Sequence, residues 1–268
     1  MPAEVAEENS RQVQVKFYSD YYTRNKSDSP DASRSSLLRR ASACMSELAP
    51  KDFVLELGSG RQIVTREYLR DRNTQPSFTI VTLDIANLAR KQLLAKDSAG
   101  VTHIRADGGR LPFNATSFGL VISSMALDFM GVEAIPEVYR VLKPGGRAEI
   151  NLHHPNLIPE DLDQLLARRQ IPKAERTVLE YWAYLREKGI LTNDSHILRE
   201  RFIQYGLYVE KLIESHDNHD TWWEVSLKKD GTNSTSANSY YRPDMTKQEV
   251  LALLAHERGR FFRDWGNV

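Results

Sequence analysis

The sequence predicts an α/β fold built on a mostly parallel sheet, and three observations carry that prediction. Short apolar runs at Phe53–Leu57, Phe78–Leu83, Val101–Arg105, Ser117–Ser124 and Arg147–Leu152 alternate with stretches of helical periodicity. The first run leads straight into Gly58-Ser59-Gly60, a tight turn between a strand and a helix. The last two runs, Leu207–Ser215 and Thr221–Lys229, are separated only by a short polar connection, as in an antiparallel hairpin.

Composition narrows the classes of function. At 268 residues and 41% hydrophobic content, the chain suits one large domain with attachments, or at most two domains. Lys plus Arg and Asp plus Glu both number 36, so no net field draws in nucleic acid or an anionic membrane. Cys44 is the single cysteine, which excludes an intrachain disulfide and a multi-cysteine metal site and suits a reducing compartment. No basic leader precedes an apolar run, and no stretch of about 18 apolar residues occurs. The expectation is a cytoplasmic protein with no membrane partner and no bound metal.

In chain order, Val13, Phe17 and Tyr21 recur at four-residue steps within a predicted helix over Glu4–Tyr22. Ser, Asp and Pro break the pattern before a second helix from Ser36 to Leu48. The strand Phe53–Leu57 and the glycine turn follow, with a helix from Ile63 to Arg70. Glycines admit positive φ and close approach of a ligand, and the helix that follows turns its free N–H groups to the same spot. A dinucleotide fingerprint needs a third glycine where Ile63 stands, so a nicotinamide cofactor fits poorly. Glu56, two residues before Gly58, lies at the ligand end of the strand, where a buried acid calls for a cationic partner.

Glu56-Leu57-Gly58-Ser59-Gly60 resembles the first motif of the class I S-adenosylmethionine-dependent methyltransferases, an acid, any residue, then Gly-x-Gly. Many members carry a further glycine where this chain has Gln62, and usually an Asp in the fourth strand where it has Gly119. The resemblance implies a Rossmann-like seven-stranded sheet ending in an antiparallel hairpin. It also implies a bound S-adenosylmethionine, with the ammonium near Glu56. N-terminal helices of such enzymes often close over the cofactor, making Tyr18, Tyr21 and Tyr22 candidates for a lid; packing is the alternative.

Asp84 ends the second strand 24 residues after Gly60, near the spacing at which an acid binds ribose hydroxyls; capping a helix over Asn87–Ala95 is the other reading. After the third strand, Asp107-Gly108-Gly109-Arg110-Leu111-Pro112-Phe113 resembles the family segment whose acid meets the adenine amino group. A turn-stabilising Asp107 is the rival. The implied cofactor site is therefore Glu56, Gly58, Ser59, Gly60, Asp84, Ile85, Asp107, Gly108 and Ser123. Val132–Leu142 is helical in pattern, and the family-like run from Arg140 through Lys143-Pro144-Gly145-Gly146 stops it.

The fifth strand ends in His153-His154-Pro155, at the edge where substrates sit in open sheets; either histidine is a candidate base for the acceptor. Residues 156–196 form an insertion in which Val178, Tyr181, Trp182 and Leu185 share a helix face, covering either an acceptor pocket or bare sheet. A Gly, Ser, Thr and Asn linker at 231–239 precedes a capping box, Thr246-x-x-Glu249, and a helix to Arg258. Phe261, Phe262 and Trp265 then dock on the domain or in a second subunit of a homodimer.

These readings divide the chain into an N-terminal lid region at 1–48, a methyltransferase domain at 49–230 with its cap at 156–196, and a C-terminal segment at 231–268. The expected reaction is methyl transfer from S-adenosylmethionine to a small-molecule acceptor. Balanced charge, and Ser123-Ser124-Met125-Ala126-Leu127 in place of an Asn-Pro-Pro-Tyr segment, argue against nucleic acid; a protein or peptide acceptor remains open. The competing classes are a nicotinamide oxidoreductase, and a binding protein with a vestigial site.

Overall fold

The computed structural model describes residues 32–70, 76–86, 100–168, 170–171, 173–188, 190–217 and 220–230; within 173–188 it describes side chains at 176, 179, 180 and 182–186. The expected helices over Glu4–Tyr22 and Asn87–Ala95, the lid tyrosines, everything from 231 onward, and the side chains of Val178 and Tyr181 lie outside those residues.

Seven strands form one sheet in the order β3-β2-β1-β4-β5-β7-β6. They are β1 Phe53–Leu57, β2 Thr79–Asp84, β3 Val101–Arg105, β4 Phe118–Ser124, β5 Leu142–His153, β6 Leu207–His216 and β7 Thr221–Lys229. The first five pair in parallel, whereas β7 runs antiparallel between β5 and β6. Strand order reverses between β1 and β4, so their C-terminal ends open the crevice in which such sheets bind ligands.

Helices cover both faces because the central strands are apolar on both. On one face α1 (Ala32–Ser46) and α2 (Ile63–Arg70) bury Leu37, Ala41, Val64 and Tyr68 against Val54, Ile80, Leu120 and Ile122. On the other, Ile135 and Val138 of α4 (Ala134–Val141) join Leu55, Leu57, Leu83, Val121 and Ile150. A four-residue helix, α3 (Leu127–Met130), precedes α4. The insertion contains a 3-10 turn at Pro155–Leu157, α5 (Leu162–Leu166) and α6 (Lys173–Lys188). A further helix that the periodicity did not single out, α7 (Ser195–Ile203), is capped by the Asp194 carboxylate, which accepts from the backbone N–H of His196 and Ile197. Its Leu198 and Phe202 complete the second core layer.

One expectation is corrected. β5 begins at Leu142 rather than Arg147, because Leu142 pairs with Phe118 before the register slips and Arg147 pairs with Leu120. Lys143 to Gly146 bulge out opposite Gly119 alone, with Gly145 at φ +77°. A Cβ on Gly146 would sit 2.9 Å from the Lys143 carbonyl oxygen, so a side chain there has no room.

Gly119 has a packing reason as well: a Cβ there would meet Leu48 Cδ2 at 2.8 Å. The acid on that side comes instead from Asp52, which is ion-paired with Lys143.

A buried charge cluster fastens α1 to the sheet. The Arg40 guanidinium reaches Glu149 at 2.8 Å, Glu224 at 2.9 Å and Asn151 Oδ1 at 2.7 Å, while Ser226 donates to Glu149 and Ser36 to Glu224. Burial opposes ionisation of Glu224, but the Ser36 hydroxyl, Lys211 and Arg40 outweigh it and hold its carboxyl down at about 2. A carboxyl depressed in this way contributes stability above its unfolded pKa that is lost as pH falls through its folded one. Arg40→Ala should cost about 3–5 kcal/mol near neutral pH by leaving the buried Glu149 without its cationic partner and Glu224 with Lys211 alone. In denaturant titrations that deficit should shrink below about pH 4, where the orphaned carboxyls can protonate.

Candidate functional site

The crevice is built where β1 and β2 end. Ser59 N–H donates to the Leu83 carbonyl at 2.9 Å, and Gly60 N–H donates to Asp84 Oδ2 at 2.7 Å. The other carboxylate oxygen of Asp84 accepts from Ala86 N–H at 2.8 Å, and Ile85 N–H also bonds the group. Burial pushes the Asp84 pKa up, against these amide donors. The Asp84 carboxylate thus clasps the glycine turn, and with three amide donors engaged it keeps one lone pair for a hydroxyl donor. The helix over Asn87–Ala95 that its alternative role would cap lies outside the described residues.

Gly58 and Gly60 have φ of +68° and +49°, and Gln62 has +60°, a left-handed conformation that costs a non-glycine residue about 1–2 kcal/mol. Gln62 takes the conformation of the glycine it replaces; its side chain is buried, donating to Thr82 Oγ1 at 2.6 Å, so it braces the turn from below.

Glu56 is 3% exposed and points at the start of α2, where the Thr65 hydroxyl and the Thr65 and Val64 N–H groups bond it. Burial nonetheless lifts its pKa to about 7, with the Asp84 charge adding to the effect. Two carboxyl groups therefore flank one glycine turn whose Ser59 and Gly60 amides are already engaged. Such a turn repels a pyrophosphate and suits a cationic ligand.

At the end of β3, Asp107 Oδ1 accepts from Gly109 N–H at 2.9 Å, which realises its turn-stabilising role. Gly108 lies under Met130: a Cβ on Gly108 would fall 2.1 Å from Met130 Sδ. The same side chain reaches the turn, since a Cβ on Gly58 would meet Met130 Cε at 2.9 Å and Ala126 Cβ at 2.3 Å. Ser123, one residue before the end of β4, is fully buried, and its hydroxyl and that of Ser59 have no hydrogen-bond partner among the described residues. Those two orphaned hydroxyls beside the turn are what a polar ligand there would satisfy.

The two histidines part company. His154 is buried against Trp223; its Nδ1 accepts from Asn156 N–H at 3.3 Å, and burial holds its pKa down. It caps the 3-10 turn. His153 instead meets Asp128, which sequence reasoning missed: Asp128 Oδ2 lies 2.7 Å from both the backbone nitrogen and Nδ1 of His153. No spacing signals that pair, because the two residues come from different elements 25 positions apart.

The His153 ring stands edge-on between Phe129, at 5.3 Å between centroids, and Trp182 of α6, at 6.1 Å. Tyr184 stacks on Phe129 and donates its hydroxyl to the Phe129 carbonyl. On the insertion's face, Leu185 is core, whereas Trp182 and Tyr184 keep part of their surface at this edge.

Residues 55–150 match the family model described as a methyltransferase domain. The chain is 28% identical over 142 residues to malonyl-[acyl-carrier protein] O-methyltransferase of Enterobacter lignolyticus, covering 52% of this chain and 54% of that one. It is 33% identical over 118 residues to the ubiquinone/menaquinone biosynthesis C-methyltransferase UbiE of Pseudomonas paraeruginosa, covering 41% and 45%. The chain thus spans about half the length of these curated relatives.

Among solved structures, phosphoethanolamine N-methyltransferase 2 of Haemonchus contortus, in complex with S-adenosyl-L-methionine, shares the fold at TM-score 0.51 and 14% identity, covering 80% of this chain and 56% of that one. The [4+2]-cyclase SpnF shares it at 0.50 and 14%, covering 77% and 86%. A likeness of this kind establishes the fold and leaves the reaction to the site.

Gly58→Ala is expected to cost about 1–3 kcal/mol, since its methyl group is driven onto Ala126 at positive φ. Gly108→Ala should cost less, because the flexible Met130 can yield, and adding Met130→Ala should recover most of that loss. Chemical denaturation of the three variants checks the order.

Proposed function

We propose, from the premise that residues 55–150 are a class I S-adenosylmethionine-dependent methyltransferase domain, that the protein transfers the cofactor's methyl group to a small organic acceptor. The observation that carries this reading is the electrostatics of the turn: the Gly60 N–H that a phosphate would use is held by the Asp84 carboxylate, with Glu56 beside it. A nicotinamide dinucleotide would bring its pyrophosphate to that point. S-adenosylmethionine brings a sulfonium and an ammonium, and its sulfonium supplies an electrophilic methyl group.

The chain's own residues then bind and orient. Asp84 accepts from a ribose hydroxyl through its remaining lone pair. Asp107 and Gly108 border the adenine, and Ile85 covers it from the end of β2. Glu56 faces the ammonium, and the unpaired Ser59 and Ser123 hydroxyls meet polar atoms of the methionyl part. Alignment of the acceptor in line with the methyl group and exclusion of water do most of the catalytic work. The likeness to a ubiquinone/menaquinone biosynthesis C-methyltransferase and to a malonyl-[acyl-carrier protein] O-methyltransferase supports a small acceptor group.

Isothermal titration should show S-adenosylmethionine binding and no NAD binding. Asp84→Ala should weaken cofactor binding at least about tenfold, the loss of a charge-assisted bond. With a pKa of about 7 in the free protein, Glu56 is part protonated near neutrality, and an arriving ammonium ionises it. Binding should therefore release a fraction of a proton at pH 7, read from titrations in buffers of different ionisation enthalpy. The release should vanish in Glu56→Gln and with methylthioadenosine, which lacks the ammonium. Unchanged proton release in Glu56→Gln would remove that residue from the site.

A further inference from the structure

We infer that Asp128 and His153 form a proton-accepting pair, and that the acceptor is an aromatic molecule whose hydroxyl loses its proton to His153 as it is methylated. The inference rests on the methyltransferase reading and names the acceptor class that reading leaves open.

Asp128 anchors the pair. It is fully buried, Oδ2 accepts from both the backbone N–H and Nδ1 of His153, and Oδ1 has no hydrogen-bond partner among the described residues. A buried carboxylate with an unsatisfied oxygen is costly, and a packing role alone would be served better by an apolar side chain. What it does here is hold the imidazole. Accepting from Nδ1 makes Nδ1 the protonated nitrogen and puts the lone pair on Nε2, at the opposite edge of the ring. The backbone bond fixes where the carboxylate stands, and Phe129 and Trp182 fix the ring between them. A carboxylate in this position also favours the imidazolium that forms when Nε2 takes a proton.

The segment Ala126–Met130 touches both the glycine turn and the pair: Met130 and neighbouring Ala126 press on Gly58, while Asp128 and Phe129 address His153. Within one short helix, one face borders the cofactor turn and the other borders the base. The partly exposed Trp182 and Tyr184 add planar apolar surface at the same edge, which matches an aryl ring in shape and chemistry.

The step balances. The acceptor oxygen gives up its proton to His153 Nε2 and forms the bond to the methyl carbon as the bond from that carbon to sulfur breaks, its electron pair staying on sulfur. The positive charge passes from the sulfonium to the imidazolium, which returns the proton to water after product leaves. A phenolic hydroxyl, with a pKa of about 10, is protonated near neutrality and needs such a base; an acceptor already ionised does not.

The test uses the full chain, its His153→Asn, His153→Gln and Asp128→Asn variants, and two probes, phenol and para-nitrophenol, the second largely ionised at mildly alkaline pH. Nitrogen NMR of the wild-type imidazole should show the Nδ1-protonated tautomer, weakened in Asp128→Asn. Calorimetry should give cofactor affinities within about threefold of wild type in every variant. Turnover of phenol should fall about 10²–10⁴-fold in the His153 variants, and the loss on para-nitrophenol should be under about tenfold.

Failure of the wild type to bind S-adenosylmethionine would sink the methyltransferase reading and this inference with it. Cofactor binding with no methylation of either phenol, equal losses on both, or an Nε2-protonated tautomer would overturn the pair alone.

Discussion

The bond from Gly60 N–H to the Asp84 carboxylate is the constraint on which the crevice depends. It ties the end of β1 to the end of β2 at the point where strand order reverses, and it sets the sign of the local field. A glycine turn followed by a helix ordinarily attracts anions. Here the attraction is spent internally, and Glu56, bonded to the first amides of α2, adds a second acid. The same backbone shape that serves phosphate in one family is converted into a seat for positive charge.

Helix α3 divides the space above the sheet. Its four residues connect β4 to the crossover helix, and each side does different work: Met130 fills the gap over Gly58 and Gly108, while Asp128 and Phe129 turn to the end of β5. The two glycines are needed because the thioether lies on both, which links the glycine turn to the end of β3 by direct contact. Helix α6 closes the far side, with Leu185 in its own small core and Trp182 against His153.

The departures from the family's pattern are absorbed locally. Gln62 accepts the strain of a left-handed backbone and gains a buried bond to Thr82. Gly119 makes room for Leu48, and Asp52 brings a carboxylate to that side. Arg40 holds three elements together through Glu149 and Glu224, a polar clamp in an otherwise apolar layer.

By itself, the sequence determined what depends on local pattern. Alternating apolar runs specified the strands, Gly58-Ser59-Gly60 the turn and Asp84 its spacing, since strand, turn and helix preferences act over a few residues. The start of β5 was misplaced because Pro and Gly ordinarily end pairing, and only contact with Gly119 shows that a bulge carries the strand across them. Helix α7 was passed over because its polar positions follow no clear stripe and its helix is held by the Asp194 cap and by burial of Leu198 and Phe202. What tertiary structure alone decided is the pairing of groups distant in sequence: Asp128 with His153, Arg40 with Glu149 and Glu224, and Met130 with two glycine turns. Such contacts leave no periodicity, because they depend on where the sheet brings separate elements together, and a hydrogen bond between side chains is set by distances of a few tenths of an ångström that no spacing along the chain encodes.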